Sequence, residues 1–464
     1  MGSEDIPILQ QVERAEGERL KILIIGAGLA GLSASLSLTL ASHTITLLES
    51  TPTISAVGAG IQILPNASRT LYSWGLRSQL LSLATRPSHC EMRNWRGGEL
   101  ARMGFEGYER RAGTEFLDFH RAELLEVLLQ RARELGVRVR TGCRVVDVET
   151  GVLQPNGRVG AVVVLASGER LSCDIAIGAD GINSRTRECM LGRKDPPTPT
   201  GDLAYRLLLD PEEMLKDDLL RHFVEEPKVV YWLGDKMHAV GYVVKRGGAF
   251  NMVLLVPDDM PREGPSTLEG SVEEMRGMFE DWDPCIPRLL SLCKSVSKWR
   301  LSIRQSCPWY HPSGTFTLLG DAVHATLPYL ASGAGMALED AAVLGLCLLR
   351  VSASSTMEER LGALRVYERC RKGRTEKVVQ RGNLQQEIYH FGDGESQRER
   401  DALFKRFQDR EEEGVHRGRR VGEGEDGEDP FVWRWEGSGR WLLLYDAQED
   451  VERNWAREER GAKL

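Results

Sequence analysis

The alternation of apolar and polar positions divides the chain into recognisable elements. From Leu20 to Ser50 it reads "LKILIIGAGLAGLSASLSLTLASHTITLLES". A short apolar run, a glycine-rich turn, a stretch of small and apolar residues and a second run ending at Glu49 predict strand, helix and strand, one βαβ unit. Residues 115–136 predict an amphipathic helix, with Leu124, Leu125, Leu128, Ala132 and Leu135 on one face and Gly136 as its stop. Valine-rich strands follow to about residue 180, punctuated by turn signals at Pro155-Asn156-Gly157 and Ser167-Gly168.

Between 200 and 260 the pattern changes. "PKVVYWLGD", "HAVGYVVKRGG" and "FNMVLLVPDD" predict consecutive antiparallel strands joined by tight turns, an inserted sheet suited to roofing a site. After 315 the strand-then-helix pattern returns. "SSTMEERLGAL" then opens a C-terminal helical region, with Ser355 and Glu358 spaced as a capping box. Residues 1–19 are polar and read as loose. Residues 396–429 are densely charged, and their second half, near 410–429, reads as a disordered loop.

Composition narrows the function classes. The chain has 464 residues, 41% hydrophobic and 28% charged, enough for two to three domains of core. Its net charge of −8 argues against nucleic acid, whose phosphates are met by clustered Lys and Arg. No apolar run approaches the roughly 18 residues of a membrane span. The N-terminal stretch has neither an apolar signal core nor the myristoylation pattern, which points to the cytoplasm. Nine cysteines without a CxxC pair read as reduced, buried thiols, and no zinc spacing or HExxH motif suggests a metal. Asn66-Ala67-Ser68 fits the N-glycosylation pattern but lacks the secretory context that would give it meaning.

The candidate chemistry starts at Gly26, Gly28 and Gly31, a GxGxxG directly after a predicted strand. The first glycine permits a tight turn, the second admits a pyrophosphate to the backbone, and the third lets helix and strand pack closely. The helix start supplies free N–H groups for that phosphate. Glu49 ends the next strand 18 residues beyond the third glycine, where its carboxylate can accept from both ribose hydroxyls. The unit therefore binds an adenosine dinucleotide, without itself choosing between NAD and FAD. "GAGIQI" at 58 and "GAGMAL" at 333 both fail at the last glycine. One tight site fits FAD, with a nicotinamide cofactor, NADPH or NADH, docking transiently.

Three motifs in fixed order carry a family resemblance: the GxGxxG at 26–31, "GADGINSRTR" at 178–187 and "LLGDAVHATLP" at 318–328. With "VGAGIQILPNASR", "FHRAEL" and "YDAQEDVERNW", the chain resembles the single-component FAD-dependent aromatic hydroxylases, in particular their fungal salicylate hydroxylase-like branch, from about 20 to 455. The resemblance implies an α/β fold with a Rossmann-type FAD-binding domain, like that of para-hydroxybenzoate hydroxylase. This domain would comprise 20–75, 115–190 and 300–350. A mostly antiparallel substrate domain would comprise 76–114 and 191–299, and a C-terminal helical region 351–464. It also implies residue roles. Asp321, expected to be buried at a strand end, would accept from the flavin ribityl chain. The helix start at Gly333, Ala334 and Gly335 would aim its N–H groups at the flavin N1–C2 edge. Arg121 would meet the diphosphate, Asp180 would lie near both FAD and the nicotinamide donor, and the backbone from Ala59 to Gln62 would pass beside the flavin. Each has a plainer reading too: Asp321 a helix cap, Arg121 a surface ion pair, Asp180-Gly181 a turn, His324 a packed histidine. Ser332 stands where many relatives have Gln.

The implied reaction is hydroxylation of a phenolic or aromatic small molecule by O2 and NAD(P)H through a flavin hydroperoxide, in secondary metabolism or aromatic breakdown, by a monomer or homodimer. Arg206 and Tyr242 match an Arg and a Tyr that bind the phenolate in fungal dearomatising hydroxylases, and a fixed cation lowers a phenol's pKa. Bacterial salicylate hydroxylases carry a His just before that Tyr, where this chain has Gly241. His238, three residues earlier, is expected to face elsewhere. The alternatives are epoxidation of an indole, alkene or isoprenoid, and, more remotely, a non-catalytic binding protein on the same fold. "VWRWEG" at 432–437 only faintly echoes a halogenase motif, without its Ile-Pro.

Overall fold

A computed structural model describes residues 14–54, 58–417, 429–434 and 439–461. The predicted βαβ unit is present: strand Lys21–Ile25, helix Leu29–Leu40 and strand Thr44–Leu48. Its strands are central in a five-stranded sheet ordered Phe316–Leu318, Ile175–Gly178, Lys21–Ile25, Thr44–Leu48, Arg138–Arg140, every pair parallel. Helix Leu29–Leu40 and the strands Val159–Leu165 and Arg170–Cys173 pack against this sheet, and Ile22, Leu23, Ile24 and Ile25 are all buried rather than alternating. Small residues set the helix packing. A β-carbon on Gly345, in helix Gly333–Leu348, would lie 2.1 Å from Ser37 Oγ, so that helix runs close against Leu29–Leu40.

The expected inserted sheet is larger than the predicted strands suggested. Eight strands run in the order Thr267–Gly270, Val296–Ile303, Thr198–Leu209, Ala249–Pro257, Met237–Val244, Val229–Gly234, His89–Asn94, Glu99–Gly104. All neighbours are antiparallel except Val229–Gly234 with His89–Asn94. One face of this sheet buries Trp232, Phe223, Phe250 and Phe279 in a core of its own. The other face looks toward the parallel sheet. A separate three-stranded sheet holds Val145–Leu153, Val159–Leu165 and Arg170–Cys173, with the predicted turns between strands.

Several local expectations are corrected. The helix predicted over 115–136 spans only Arg121–Glu134; Leu117–His120 is a strand, antiparallel to Gly60–Ile63. All four of its residues are buried, an environment in which a two-faced helical pattern has no solvent side to use. Gly136, at φ 85°, does end the helix in the left-handed conformation. The capping box is one residue later, at Thr356 and Glu359: Glu359 N–H donates to Thr356 Oγ1, and Thr356 N–H donates to Glu359 Oε2 at 2.7 Å. Ser355 Oγ instead accepts from Ser352 N–H, a local turn that competes with capping.

The charged segment is helical over Glu395–Arg417, where a loop was expected from about 410; residues 418–428 lie outside the described ones, as do 435–437 of the stretch 432–437. At the N-terminus, 14–19 are tied down rather than loose, with Ala15 N–H donating to Leu349 O and Ala353 N–H to Glu18 O. Residues 1–13 are outside the described part. Among the described residues no helix is long and apolar enough to cross a membrane. The nine cysteines are free, eight of them buried.

Candidate active site

The two sheets and the start of helix Gly333–Leu348 enclose a cleft of about 1460 Å³, counting its open mouth. Its floor is the glycine turn and Asp321, and its wall is the loop 326–334. Its roof is one face of the eight-stranded sheet, where alternate residues Ala204 and Arg206, then His238, Val240 and Tyr242, point inward.

The three motif glycines do three different things. Gly26 sits at φ 104°, and a β-carbon there would lie 2.5 Å from Ala179 O. On Gly31 it would lie 1.8 Å from Gly26 O. On Gly28 it would meet nothing within 4 Å, and Gly28 lines the cleft. Two glycines thus permit internal packing, and the third leaves a cradle at a helix N-terminus without a side-chain cap. Glu49 is half-buried beside this turn, accepting from Ala27 N–H at 2.9 Å and from Thr51 N–H at 2.9 Å. Burial pushes its carboxyl up, but these N–H donors outweigh burial and hold it below its ordinary value, as an anion.

Asp321 is exposed toward the cleft rather than buried. Gly320, at φ 65°, precedes it, and a β-carbon there would lie 2.8 Å from Ala30 Cβ. A buried cluster fixes this turn from below. Asp340 accepts from Gly320 N–H at 2.9 Å, His324 Nε2 at 2.5 Å and Arg371 Nε at 2.8 Å. His324 is therefore structural, matching the plainer reading.

Gly333 and Ala334 line the cleft, whereas Gly335 faces Asn66 and Ala67 and serves packing. No side chain caps this helix start; Ser332 Oγ turns away to donate to Leu330 O. Ala59 and Gln62 line the cleft, and Gln62 Nε2 donates to the buried Asp118 at 3.1 Å. Burial raises the Asp118 carboxyl well above the ordinary range. Arg121, the first residue of its helix, also lines the cleft. Asp180 does not: its carboxylate accepts from Ser184 Oγ at 2.6 Å, Thr186 Oγ1 at 2.5 Å and Thr186 N–H at 2.9 Å. Its neighbours Ala179 and Gly181 reach the cleft instead.

In the roof, Arg206 has no carboxylate partner among the described residues, and its Nε is buried without a hydrogen bond. Its guanidinium lies 5.0 Å from the Trp299 ring centre, worth about 0.5–2 kcal/mol. Desolvating a cation costs several kcal/mol, so the chain itself does not compensate this charge. Burial, and then Arg121, push the Arg206 pKa down from its ordinary value, while Tyr242 opposes the shift. Burial and then Asp118 push the Tyr242 phenol well up, so its hydroxyl stays a donor at neutral pH.

Sequence reasoning missed three features here. His238 faces the same cleft as Tyr242, because four residues along a strand restore the side. Comparison with Tyr242 instead of Gly241 would have revealed it. Asn251 Oδ1 accepts from Gly60 N–H at 2.6 Å and ties the cleft's edge to the roof. His390 and Asp202, distant in sequence, back His238.

Comparison with known proteins decides the family. The family described as "FAD binding domain" matches residues 19–382. FAD-dependent monooxygenase OpS4 of Beauveria bassiana is 41% identical over 404 residues, covering 85% of this chain and 91% of the relative. The chain belongs to the FAD-dependent monooxygenase family. The enzyme is also 31% identical to 3-amino-4-hydroxybenzoate 2-monooxygenase of Streptomyces cremeus over 398 residues, 84% of this chain and 93% of the relative. Its fold matches a salicylate hydroxylase substrate complex with TM-score 0.74 at 23% identity, covering 94% of this chain and 98% of that one. The residues of the cleft suit FAD: an open glycine cradle, an anionic Glu49, an uncapped helix start and an exposed Asp321. When bound, FAD accepts hydride from NAD(P)H and activates dioxygen.

Proposed function

We propose that the enzyme hydroxylates a small phenol held as its phenolate against Arg206 and Tyr242. The observation that carries this reading is the uncompensated guanidinium of Arg206 beneath the roof, which an anionic ring oxygen would match. Tyr242 donates a second hydrogen bond to that oxygen, and His238, on the same face, takes the phenol proton. The apolar neighbours Ala204, Val240 and Val253 exclude water from the ring. The substrate named for the Streptomyces relative is a hydroxybenzoate, a phenol of this size.

For the cofactor, we assign Gly26, Gly28 and Gly31 to the pyrophosphate, Glu49 to the ribose and Arg121 to the diphosphate. Asp321 meets the ribityl hydroxyls, the N–H groups of Gly333, Ala334 and Gly335 face the flavin pyrimidine edge, and the backbone of Ala59 and Gln62 runs alongside. Asp180 acts indirectly, by shaping the turn at Ala179–Gly181. In domain terms, 20–75, 115–190 and 300–350 hold FAD, 76–114 and 191–299 form the substrate roof, and 351–464 buttress both.

The test is NAD(P)H consumption across a panel of phenols, salicylates and indoles, with product mass measured. Phenols that couple consumption to the gain of one oxygen atom support the reading. Coupled turnover confined to indoles or alkenes would replace it with epoxidation.

A further inference from the structure

We infer that His390 relays the phenol proton from His238 out of the cleft, with Asp202 orienting the second imidazole. This rests on the phenolate reading above and adds the route by which the proton leaves. His238, 1% exposed, lines the cleft, and its Nδ1 lies 2.8 Å from His390 Nε2. His390 immediately follows helix Met357–Tyr389, and its side chain is 9% exposed. Its Nδ1 lies 3.6 Å from Asp202 Oδ2. The same carboxylate accepts from the hydroxyl of Tyr329, another residue lining the cleft.

Three segments far apart in sequence thus bring a row of buried polar groups from the cleft toward solvent. Packing alone does not call for such a row, since apolar side chains of similar shape would be about as stable. The other ionisable groups around His238 are Tyr231, Tyr329 and Tyr389, with ring centres 6.3, 5.0 and 5.4 Å from its own. Among the described residues His238 is hydrogen-bonded to His390 and to none of these three phenols, since the Tyr329 hydroxyl donates to Asp202 and that of Tyr389 has no partner, so His390 is the exit.

Nδ1 of His238 is engaged with His390, so Nε2 is the nitrogen available to a substrate. The step balances without any change of oxidation state. The phenol O–H bond breaks and a bond forms to His238 Nε2. The proton on His238 Nδ1 passes to His390 Nε2, and His390 releases its Nδ1 proton to water, with the Asp202 carboxylate 3.6 Å away to attract it. Both rings finish as the other neutral tautomer and reset when the product takes a proton back.

The experiment uses the oxidised, FAD-loaded full chain without NAD(P)H. It is mixed rapidly with 4-nitrophenol at a pH where the free probe is mostly protonated. Phenolate absorbance reports ionisation, and an indicator dye in weak buffer reports the released proton. His390→Gln can still hydrogen-bond both neighbours but cannot pass a proton. We expect it to bind the probe about as tightly as wild type while releasing the proton at least about 10-fold more slowly, with added imidazole restoring the rate. Release by His390→Gln at the wild-type rate would overturn the relay, as would a slowing that imidazole does not relieve. If wild type binds the probe in its protonated form, the phenolate reading itself has failed.

Discussion

Tyr242 and Gly60 meet so closely that a β-carbon on the glycine would stand 2.7 Å from the tyrosine hydroxyl and 2.5 Å from Asn251 Cγ. The contact joins the edge of the cleft to its roof, since Gly60 N–H also donates to Asn251 Oδ1. Gly60→Ala should therefore displace Tyr242 or Asn251. We expect a stability loss of about 1–3 kcal/mol. FAD should be retained and the KM for phenols raised, which flavin absorbance and steady-state kinetics would report together.

Gly31 has no comparable slack, because its β-carbon would collide with the backbone at Gly26 O, 1.8 Å away. Gly31→Ala should open the turn, so the purified protein loses its yellow colour and melts at lower temperature. A variant that retains stoichiometric FAD and the wild-type Tm would contradict the packing argument.

Arg206→Met separates function from stability. It removes an unpaired charge from beneath the roof, so the melting temperature should hold or rise. Turnover of phenols should fall by about 10²-fold or more, the scale of losing one charge-stabilising donor. Full turnover in the variant would favour a substrate with no phenolate.

His43 supplies a pH dependence. It is buried, with Nε2 at 2.9 Å from Leu348 O, and burial pushes its pKa down to about 4. The folded state therefore binds fewer protons than the unfolded state between about 6.5 and about 4, so stability is lost as pH falls through that window. The full effect is of the order of 3 kcal/mol. Denaturant melts at pH 7 and pH 4.5 should show His43→Gln losing less stability than wild type on acidification; equal losses would refute the assignment.

Legibility in the sequence followed the range of the interactions. The βαβ unit, Glu49 beside its turn and the strands of the roof could be read because each rests on short-range periodicity or backbone sterics. The strand at Leu117–His120 was missed because total burial erases the polar face that periodicity needs. The capping box slipped by one residue because Ser355 and Thr356 are chemically near-equivalent, and only the turn that claims Ser355 separates them.

The sequence alone determined where a dinucleotide could bind and which segments would carry its motifs, because glycine sterics and hydrophobic alternation act over a few residues. Only the tertiary structure decided that Asp180 turns inward to close its own loop, that Asp321 faces the cleft, and that Arg206 lies there without a counter-ion. It alone brought His390 and Asp202 behind His238. Those outcomes depend on which distant groups arrive within a few ångströms, and burial and charge compensation are settled only by that arrival.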